Sequence, residues 1–288
     1  MAGNLQTIKE TRNYISGELA AIYPGREISS LVNLILSYVL KTDKLRLLME
    51  PGLQLTVDQY EEMIRICGEL KIGKPVQYIT GETLFYGCTI RVDRSVLIPR
   101  QETEELVDIV LKENKDYKGN VLDIGTGSGC IAIALALHLY DSKITALDNS
   151  AKALKKAVEN ARINNAKVNF IKRDILKGWE TFNYKTGIIV SNPPYVMESE
   201  RKYMHINVTG FEPPEALFVP DDDPLKFYRA ILEAAENILE PGGRIYFEIN
   251  GKMGASMLHL LDTFKYTAIS IIKDINAKDR IAKGVKNG

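Results

Sequence analysis

The sequence has no surplus of either charge: Lys and Arg together number 37, as do Asp and Glu. Proteins that hold nucleic acid loosely do so by neutralising phosphates with an excess of basic residues. The balance argues against DNA or RNA as a direct partner, while leaving room for a local basic patch. Cysteine is scarce. Cys67, Cys88 and Cys130 stand far apart without metal-ligand spacing, so reduced thiols in an intracellular protein and no metal site are expected. No apolar run approaches the ~20 residues that span a bilayer, and the opening MAGNLQTIKETRNYI carries charges where a signal peptide needs an apolar centre. A cytoplasmic protein with no membrane partner is expected. The three histidines, His138, His205 and His259, read as structural. Internal repeats and low-complexity segments are absent.

The chain does hold two patterns in succession. Leu5, Ile8, Ile15, Leu19 and Ile22 recur near helical spacing until Pro24-Gly25, and residues 28–40 are apolar on nearly every side, as in a helix buried among others. Thr56 with Gln59 three positions on predicts a capping box for a helix running to about Leu70. From Val76 to Ile98, short β-branched and aromatic runs around Gly81 and Gly87 predict a hairpin. After Pro99, strand and helix alternate. Strands are expected at Val121–Ile124, Ile144–Leu147, Val168–Ile171, Ile188–Val190 and Arg244–Ile249. Helices are expected over Ile131–Leu139, after Ser150 (Leu154, Ala157, Val158 and Ala161 on one face), and from Asp223-Pro224 to Leu239 with Asp223 as N-cap. This order predicts an α/β fold with a doubly wound, mostly parallel Rossmann-like sheet. The expected organisation is a helical-bundle domain over residues 1–73, a β-hairpin linker over 74–98 and the α/β domain over 99–288.

Gly125-Thr126-Gly127-Ser128-Gly129, preceded by Asp123, sits where a strand passes into a helix. Glycines there allow a tight turn and a close ligand approach. The spacing is G-x-G-x-G, with Cys130 where the dinucleotide fingerprint has its third glycine. Asp148 ends the next strand, where a carboxylate can accept both hydroxyls of a ribose. A turn without ligand and a nicotinamide site are both open readings. The glycine pattern fits S-adenosylmethionine better, because that ligand has no pyrophosphate to seat on the helix N-terminus. Asp123 and Asp174 are either further polar contacts, to the methionine ammonium and the adenine amino group, or ordinary strand-end carboxylates.

Asn192-Pro193-Pro194-Tyr195 follows a buried strand, at the edge where open α/β sheets bind ligands. Asn192 offers an amide oxygen, Pro193 a carbonyl and Tyr195 a flat face; the prolines fix φ and bring no competing N–H. Such a group suits gripping a planar –NH2 by both hydrogens. An amide or aromatic amine is a poor nucleophile, and two acceptors on its N–H bonds would orient it and stabilise positive charge as a new C–N bond forms. A proline-stiffened turn is the bland alternative.

With these residues in view, the chain resembles the HemK/PrmC peptide chain release factor glutamine methyltransferases along most of its length. The resemblance is carried by Gly73-Lys-Pro-Val-Gln77-Tyr78-Ile79-Thr-Gly81, Phe85-Tyr-Gly87, Leu97-Ile-Pro99-Arg100-Gln101-Glu102-Thr103-Glu104, Val121-Leu-Asp-Ile-Gly-Thr-Gly-Ser-Gly129, Asn-Pro-Pro-Tyr, Glu212-Pro213 with Ala216-Leu217, and Asp279-Arg280. It implies a class I methyltransferase sheet behind a helical docking domain, and methyl transfer from S-adenosylmethionine to the glutamine of the Gly-Gly-Gln motif in class I release factors. It places the cofactor on Gly125–Gly129, Asp148, Asp174, Ile175 and Asn192, and the glutamine amide on Asn192–Tyr195, with Phe85 and Arg100 near the substrate. The helical domain would dock the release factor. Nine Lys/Arg and nine Asp/Glu in the first 80 residues suit a mixed protein–protein surface.

The sequence departs from the family pattern at Gln101 (usually proline), Asn250 (commonly glycine), Met253 (near a usual glutamine) and Ile175 (often aromatic). The alternatives are a ribosomal-protein glutamine methyltransferase, an N6-adenine nucleic-acid methyltransferase working on a flipped base, and a non-catalytic binding protein. The charge balance and helical domain count against the second, and the intact motifs against the third.

Overall fold

The computed structural model describes residues 6–177, 179 and 182–288; Leu5 of the predicted first stripe lies outside them. The chain divides into two compact units, a helical one (Met1–Gly81 with His205–Phe211) and a sheet-based one (Glu82–Met204 with Glu212–Gly288).

In the helical unit, α1 (Ile8–Leu19) opens on a capping box: the Thr7 hydroxyl accepts from the Glu10 N–H, and the Glu10 carboxylate accepts from the Thr7 N–H at 2.9 Å. The expected box of Thr56 and Gln59 opens α4 (Val57–Lys71) in the same way. Between them run α2 (Gly25–Leu40) and a short α3 (Lys44–Met49), the latter capped by Asp43 and unforeseen in the sequence because only Leu47 of it is buried. Ile15 and Leu19 pack with Val32, Ile35 and Leu36 and with Met63, Ile66 and Leu70 as one core. A bundle of such short helices covers each one on a single side. So α2, apolar nearly all round, buries one face and leaves Leu34 and Tyr38 exposed. Pro24 stands at the N-cap of α2 rather than only closing α1.

One expectation fails here. Val76–Thr80, predicted as strand, is the helix α5, begun after Pro75 and closed by Gly81 in the left-handed region. Proline before and glycine after a short segment specify a helical turn more strongly than β-branching specifies a strand.

The sheet unit begins with the hairpin β1 (Glu82–Phe85) and β2 (Cys88–Arg91). Its two-residue turn places Tyr86 at φ 47° and Gly87 at φ 77°, the pairing whose twist matches that of the flanking strands. Then follow α6 (Gln101–Glu113), β3 (Asn120–Ile124), α7 (Cys130–His138), β4 (Lys143–Asp148), α8 (Ala151–Ile163), β5 (Val168–Lys172), β6 (Thr186–Ser191) and β7 (Val196–Met197). After the helical unit's α9 (Ile206–Thr209) come β8 (Phe218–Val219), α10 (Lys226–Ile238), β9 (Leu239–Glu248), α11 (Gly254–Thr263), β10 (Tyr266–Lys273) and β11 (Asp279–Lys286).

The central sheet has seven strands in the order β10-β11-β9-β6-β3-β4-β5, with β11 antiparallel to both of its neighbours. The neighbouring pairs from β9 to β5 are all parallel. Leu122 and Ile124 of β3 face a core shared with α10 and α11, and every residue of β6 is buried, as a sheet covered on both faces requires. This is the predicted doubly wound architecture.

Two details differ from expectation. The helix predicted from Asp223-Pro224 begins at Lys226, after a turn in which the Lys226 N–H bonds the Asp223 carbonyl; the Asp223 carboxylate binds Arg229 instead of capping. On α8, Val158 points outward, while Ala153 and Asn160 join Ala157 and Ala161 inside. The buried polar Asn160 adds nothing to an apolar periodicity.

Candidate functional site

Strands β6, β3 and β4 lie side by side and parallel, so their carboxyl ends, Ser191, Ile124 and Asp148, reach the same edge. Open α/β sheets bind ligands at such an edge. A cleft partly open to solvent lies there. Its wall includes Gly125 and Gly127 after β3, Asp148 at the end of β4, Ile175 after β5, and Asn192, Pro193 and Pro194 after β6. The structure thus gathers seven of the residues singled out in sequence. Apolar wall is added by Leu97, Leu147, Trp179 and Ile231.

The glycine loop is shaped by its own hydrogen bonds. The N–H groups of Gly125 and Thr126 both donate to the Leu147 carbonyl at 2.9 Å, that of Gly129 donates to the Thr126 carbonyl at 2.8 Å, and that of Gly127 donates to Asp148 Oδ2 at 2.8 Å. Donors spent in this way are not offered to a pyrophosphate. The loop presents a contour rather than an anion nest, which favours a ligand without phosphates. Gly129, at φ 83°, lies so close to α8 that a Cβ would stand 3.0 Å from that of Ala157. Although the fingerprint's third glycine is replaced by Cys130, helix packing still falls to a glycine one place earlier.

Asp148 also accepts the Ser150 N–H on Oδ1 at 2.8 Å, and it keeps acceptor capacity toward the cleft it lines. Burial raises its pKa against the lowering effect of these bonds. A half-buried carboxylate, an apolar slot and a phosphate-indifferent loop match the ribose, adenine and phosphate-free sulfonium linkage of S-adenosylmethionine in kind.

Other expected residues lie elsewhere. Asp123 is fully buried beneath the loop, takes the Thr126 hydroxyl at 2.6 Å, and is pushed up to about 7 chiefly by loss of solvation. Asp174 caps the Leu176 N–H at 3.0 Å and pairs with Lys177, and neither acid lines the cleft. Thr126, Ser128 and Gly129 are buried and do not line the cleft. Phe85 is buried in the hairpin. Arg100 pairs with the buried carboxylate of Glu212, which also receives the Ile98 N–H at 3.1 Å and so pins the segment that carries Leu97 into the cleft.

Tyr195 does not line the cleft either. Its hydroxyl donates to Oε1 of the fully buried Glu248 at 2.9 Å. The same carboxylate accepts the Thr103 hydroxyl on Oε2 at 2.6 Å, and Thr103 Oγ1 accepts from Asn192 Nδ2 at 3.2 Å. Loss of solvation raises the Glu248 pKa, opposed by its hydroxyl donors and by Arg280. Thr103 falls in the Leu97–Glu104 segment, yet no spacing in the chain announces that its hydroxyl reaches a carboxylate 145 residues on.

Three departures from the family pattern find a local reason. Gln101 is the first residue of α6, where proline and glutamine are both accommodated. Asn250 donates to Glu200 at 3.1 Å and to the Tyr195 carbonyl at 3.4 Å, bracing the loop from behind. Met253 fills the core beside α10 and α11.

Among the described residues no group of acids, histidines and cysteines could hold a metal, and no helix is long and apolar enough to cross a membrane.

Residues 10–81 match the family described as PrmC N-terminal domain, and residues 102–209 match the Methyltransferase small domain. A protein of Bacteroides thetaiotaomicron named Release factor glutamine methyltransferase is 44% identical over 93% of this chain and 96% of its own length. One of the same name from Flavobacterium psychrophilum is 42% identical over 96% of this chain and 98% of its own. The crystal structure of a methyltransferase from Pyrococcus furiosus superposes with a TM-score of 0.52 over 81% of this chain and all of that one, at 19% identity, a likeness of fold. With this sheet, this cleft and relatives of that likeness along nearly its whole length, the chain is an enzyme that belongs to the HemK/PrmC family of release factor glutamine methyltransferases.

Proposed function

We propose that the protein transfers a methyl group from S-adenosylmethionine to the side-chain amide nitrogen of the glutamine in the Gly-Gly-Gln motif of class I peptide chain release factors. The observation that carries this reading is the placement of Asn192 and Pro193 in the wall of the same cleft as Asp148. S-adenosylmethionine, when bound, supplies an electrophilic methyl on a sulfonium. Asp148 would take the ribose hydroxyls, the walls at Leu147 and Ile175 the adenine, and Gly125 and Gly127 the contour of the remainder. Asn192 Oδ1 and the Pro193 carbonyl would accept the two N–H hydrogens of the glutamine amide. That holds the nitrogen in line for transfer and stabilises the charge it acquires; orientation of this kind contributes up to ~7–11 kcal/mol in favourable cases. A strong base is unnecessary, because an alkylated amide nitrogen is acidic and loses its proton to water.

Incubation with methyl-labelled S-adenosylmethionine and a purified class I release factor, wild type or with its motif glutamine changed to alanine, tests the reading. Label on the wild-type factor alone is expected. Label on both factors, or on neither, overturns it and turns attention to ribosomal protein or adenine as acceptor.

A further inference from the structure

We propose that Thr103 and Glu248 are positioning residues that fix which end of the Asn192 amide faces the cleft, and so make the site select a carboxamide over the carboxylate of the same shape. This rests on the function proposed above and explains how its key contact is set.

The argument is one of hydrogen-bond direction. Glu248 is fully buried on β9, and an ionised carboxylate only accepts. Both its oxygens are engaged, Oε1 by the Tyr195 hydroxyl at 2.9 Å and Oε2 by the Thr103 hydroxyl at 2.6 Å. Burial opposes its charged form most strongly and Glu102 adds to that, while the Thr103 and Tyr195 hydroxyls and Arg280 favour it. A threonine hydroxyl has a single hydrogen. Spent on Glu248, it leaves Thr103 Oγ1 able only to accept from a third neighbour. That neighbour is Asn192 Nδ2, at 3.2 Å. The amino end of the Asn192 amide is therefore committed to Thr103, and the Oδ1 end is left for the cleft that Asn192 lines.

The two ends of an asparagine amide have nearly the same shape, and nothing steric tells them apart. Without the Thr103 hydroxyl either end can face the cleft, and the amino end repels an incoming –NH2. The orientation set by Thr103 and Glu248 welcomes a donor and repels a carboxylate. Glutamine and glutamate side chains have nearly the same shape and differ in charge and in whether that end can donate. Three separate elements, α6, β9 and the loop after β6, supply the chain of donors, so it exists only in the folded enzyme.

The test compares Thr103→Val and Thr103→Ser with wild type in the full chain. Three quantities are read for each: the KM for a release factor bearing the motif glutamine, the inhibition constant of the same factor with glutamine changed to glutamate, and the Kd for S-adenosylmethionine. Wild type and Thr103→Ser should favour the glutamine factor to the same degree. In Thr103→Val that ratio should fall about tenfold or more, equivalent to about 1.4 kcal/mol, with the cofactor Kd within about twofold of wild type. A merely structural defect weakens both factors together and leaves the ratio intact; that result, with glutamine still methylated, overturns the proposal alone. Wild type that methylates no release factor overturns the functional reading, and this proposal with it. If Thr103→Val does not fold, Thr103→Ala, which suits a helix and leaves a gap in place of an unmatched methyl, carries the same comparison.

Discussion

Asn160 of α8 and Asn164, which caps its end, stand where a third strand of the hairpin sheet would be, and removing the inner one should loosen the hairpin and the glycine loop together. Asn160 Oδ1 accepts the Arg91 N–H at 2.8 Å, and its Nδ2 donates to the Arg91 carbonyl at 3.0 Å and to the Ser128 carbonyl at 2.9 Å. Asn164, one turn on, repeats the strand-like pair with Thr89 at 3.1 Å and 2.8 Å. Each net hydrogen bond contributes about 1 kcal/mol, and a buried group left unpaired costs about 1–3 kcal/mol. Arg91 is exposed, so water can replace its share; the Ser128 carbonyl sits behind the loop and has no such recourse. Asn160→Ala should therefore cost about 2–4 kcal/mol, and the half-buried Asn164→Ala about 1–2 kcal/mol. Urea unfolding followed by fluorescence of Trp179, the chain's single tryptophan, reports on the sheet unit. A lower midpoint with an unchanged slope is expected. Asn160→Asp keeps the size but sets a carboxylate against two carbonyl oxygens, and should be at least as damaging at neutral pH. A loss below about 0.5 kcal/mol for Asn160→Ala, or a larger loss for Asn164→Ala, would refute the strand-mimic account, since surface substitutions alone reach that level.

Gly129→Ala forces a left-handed residue against Ala157 and should lower stability by at least about 1–2 kcal/mol, the ordinary cost of that conformation; a melting temperature equal to wild type would show that α8 yields freely. Asn192→Ala should keep its melting temperature within a few degrees and lose most methyl transfer, at least about a hundredfold, as for an oriented donor or acceptor of the reacting group; retained turnover would remove the amide grip. Asp123, raised to about 7 in the fold from an ordinary 3.8, holds its proton more tightly folded than unfolded. Its contribution is complete below about pH 4 and is lost as pH rises through about 7. Asp123→Asn should flatten that part of the stability profile, and thermal melts in which both proteins lose stability in parallel from pH 4 to 7 would contradict it.

The parts of this molecule that could be read from sequence are those written in short range. The capping box of Thr56 and Gln59 spans four residues, the strands of the sheet show as mainly apolar runs of three to six, and the glycine loop and Asn-Pro-Pro-Tyr segment are contiguous. Short-range reading also erred where two local signals compete, as at Val76–Thr80, where flanking proline and glycine overrode β-branching. At Asp223, an N-cap signal met an arginine that held the carboxylate elsewhere. Contacts that close over long stretches left no trace in spacing. Glu248 reaches Thr103, Asn160 reaches Arg91 and Ser128, and Glu212 reaches Arg100, each because strand order brings together segments that the chain keeps apart. The buried polar residues Asn160 of α8 and Glu248 of β9 carry no local signal for the same reason, since their partners lie in other elements.

The self-bonded glycine loop has a thermodynamic corollary. Four of its N–H groups are held by Leu147, Thr126 and Asp148, and Asn160 holds the carbonyl of Ser128. A loop fixed by its own bonds has surrendered its backbone freedom during folding, at about 1–2 kcal/mol per residue. A ligand arriving there does not bear that cost a second time. Its affinity then reports contacts alone, and on-rates should be those of diffusion into a formed groove, with no slow ordering step before capture.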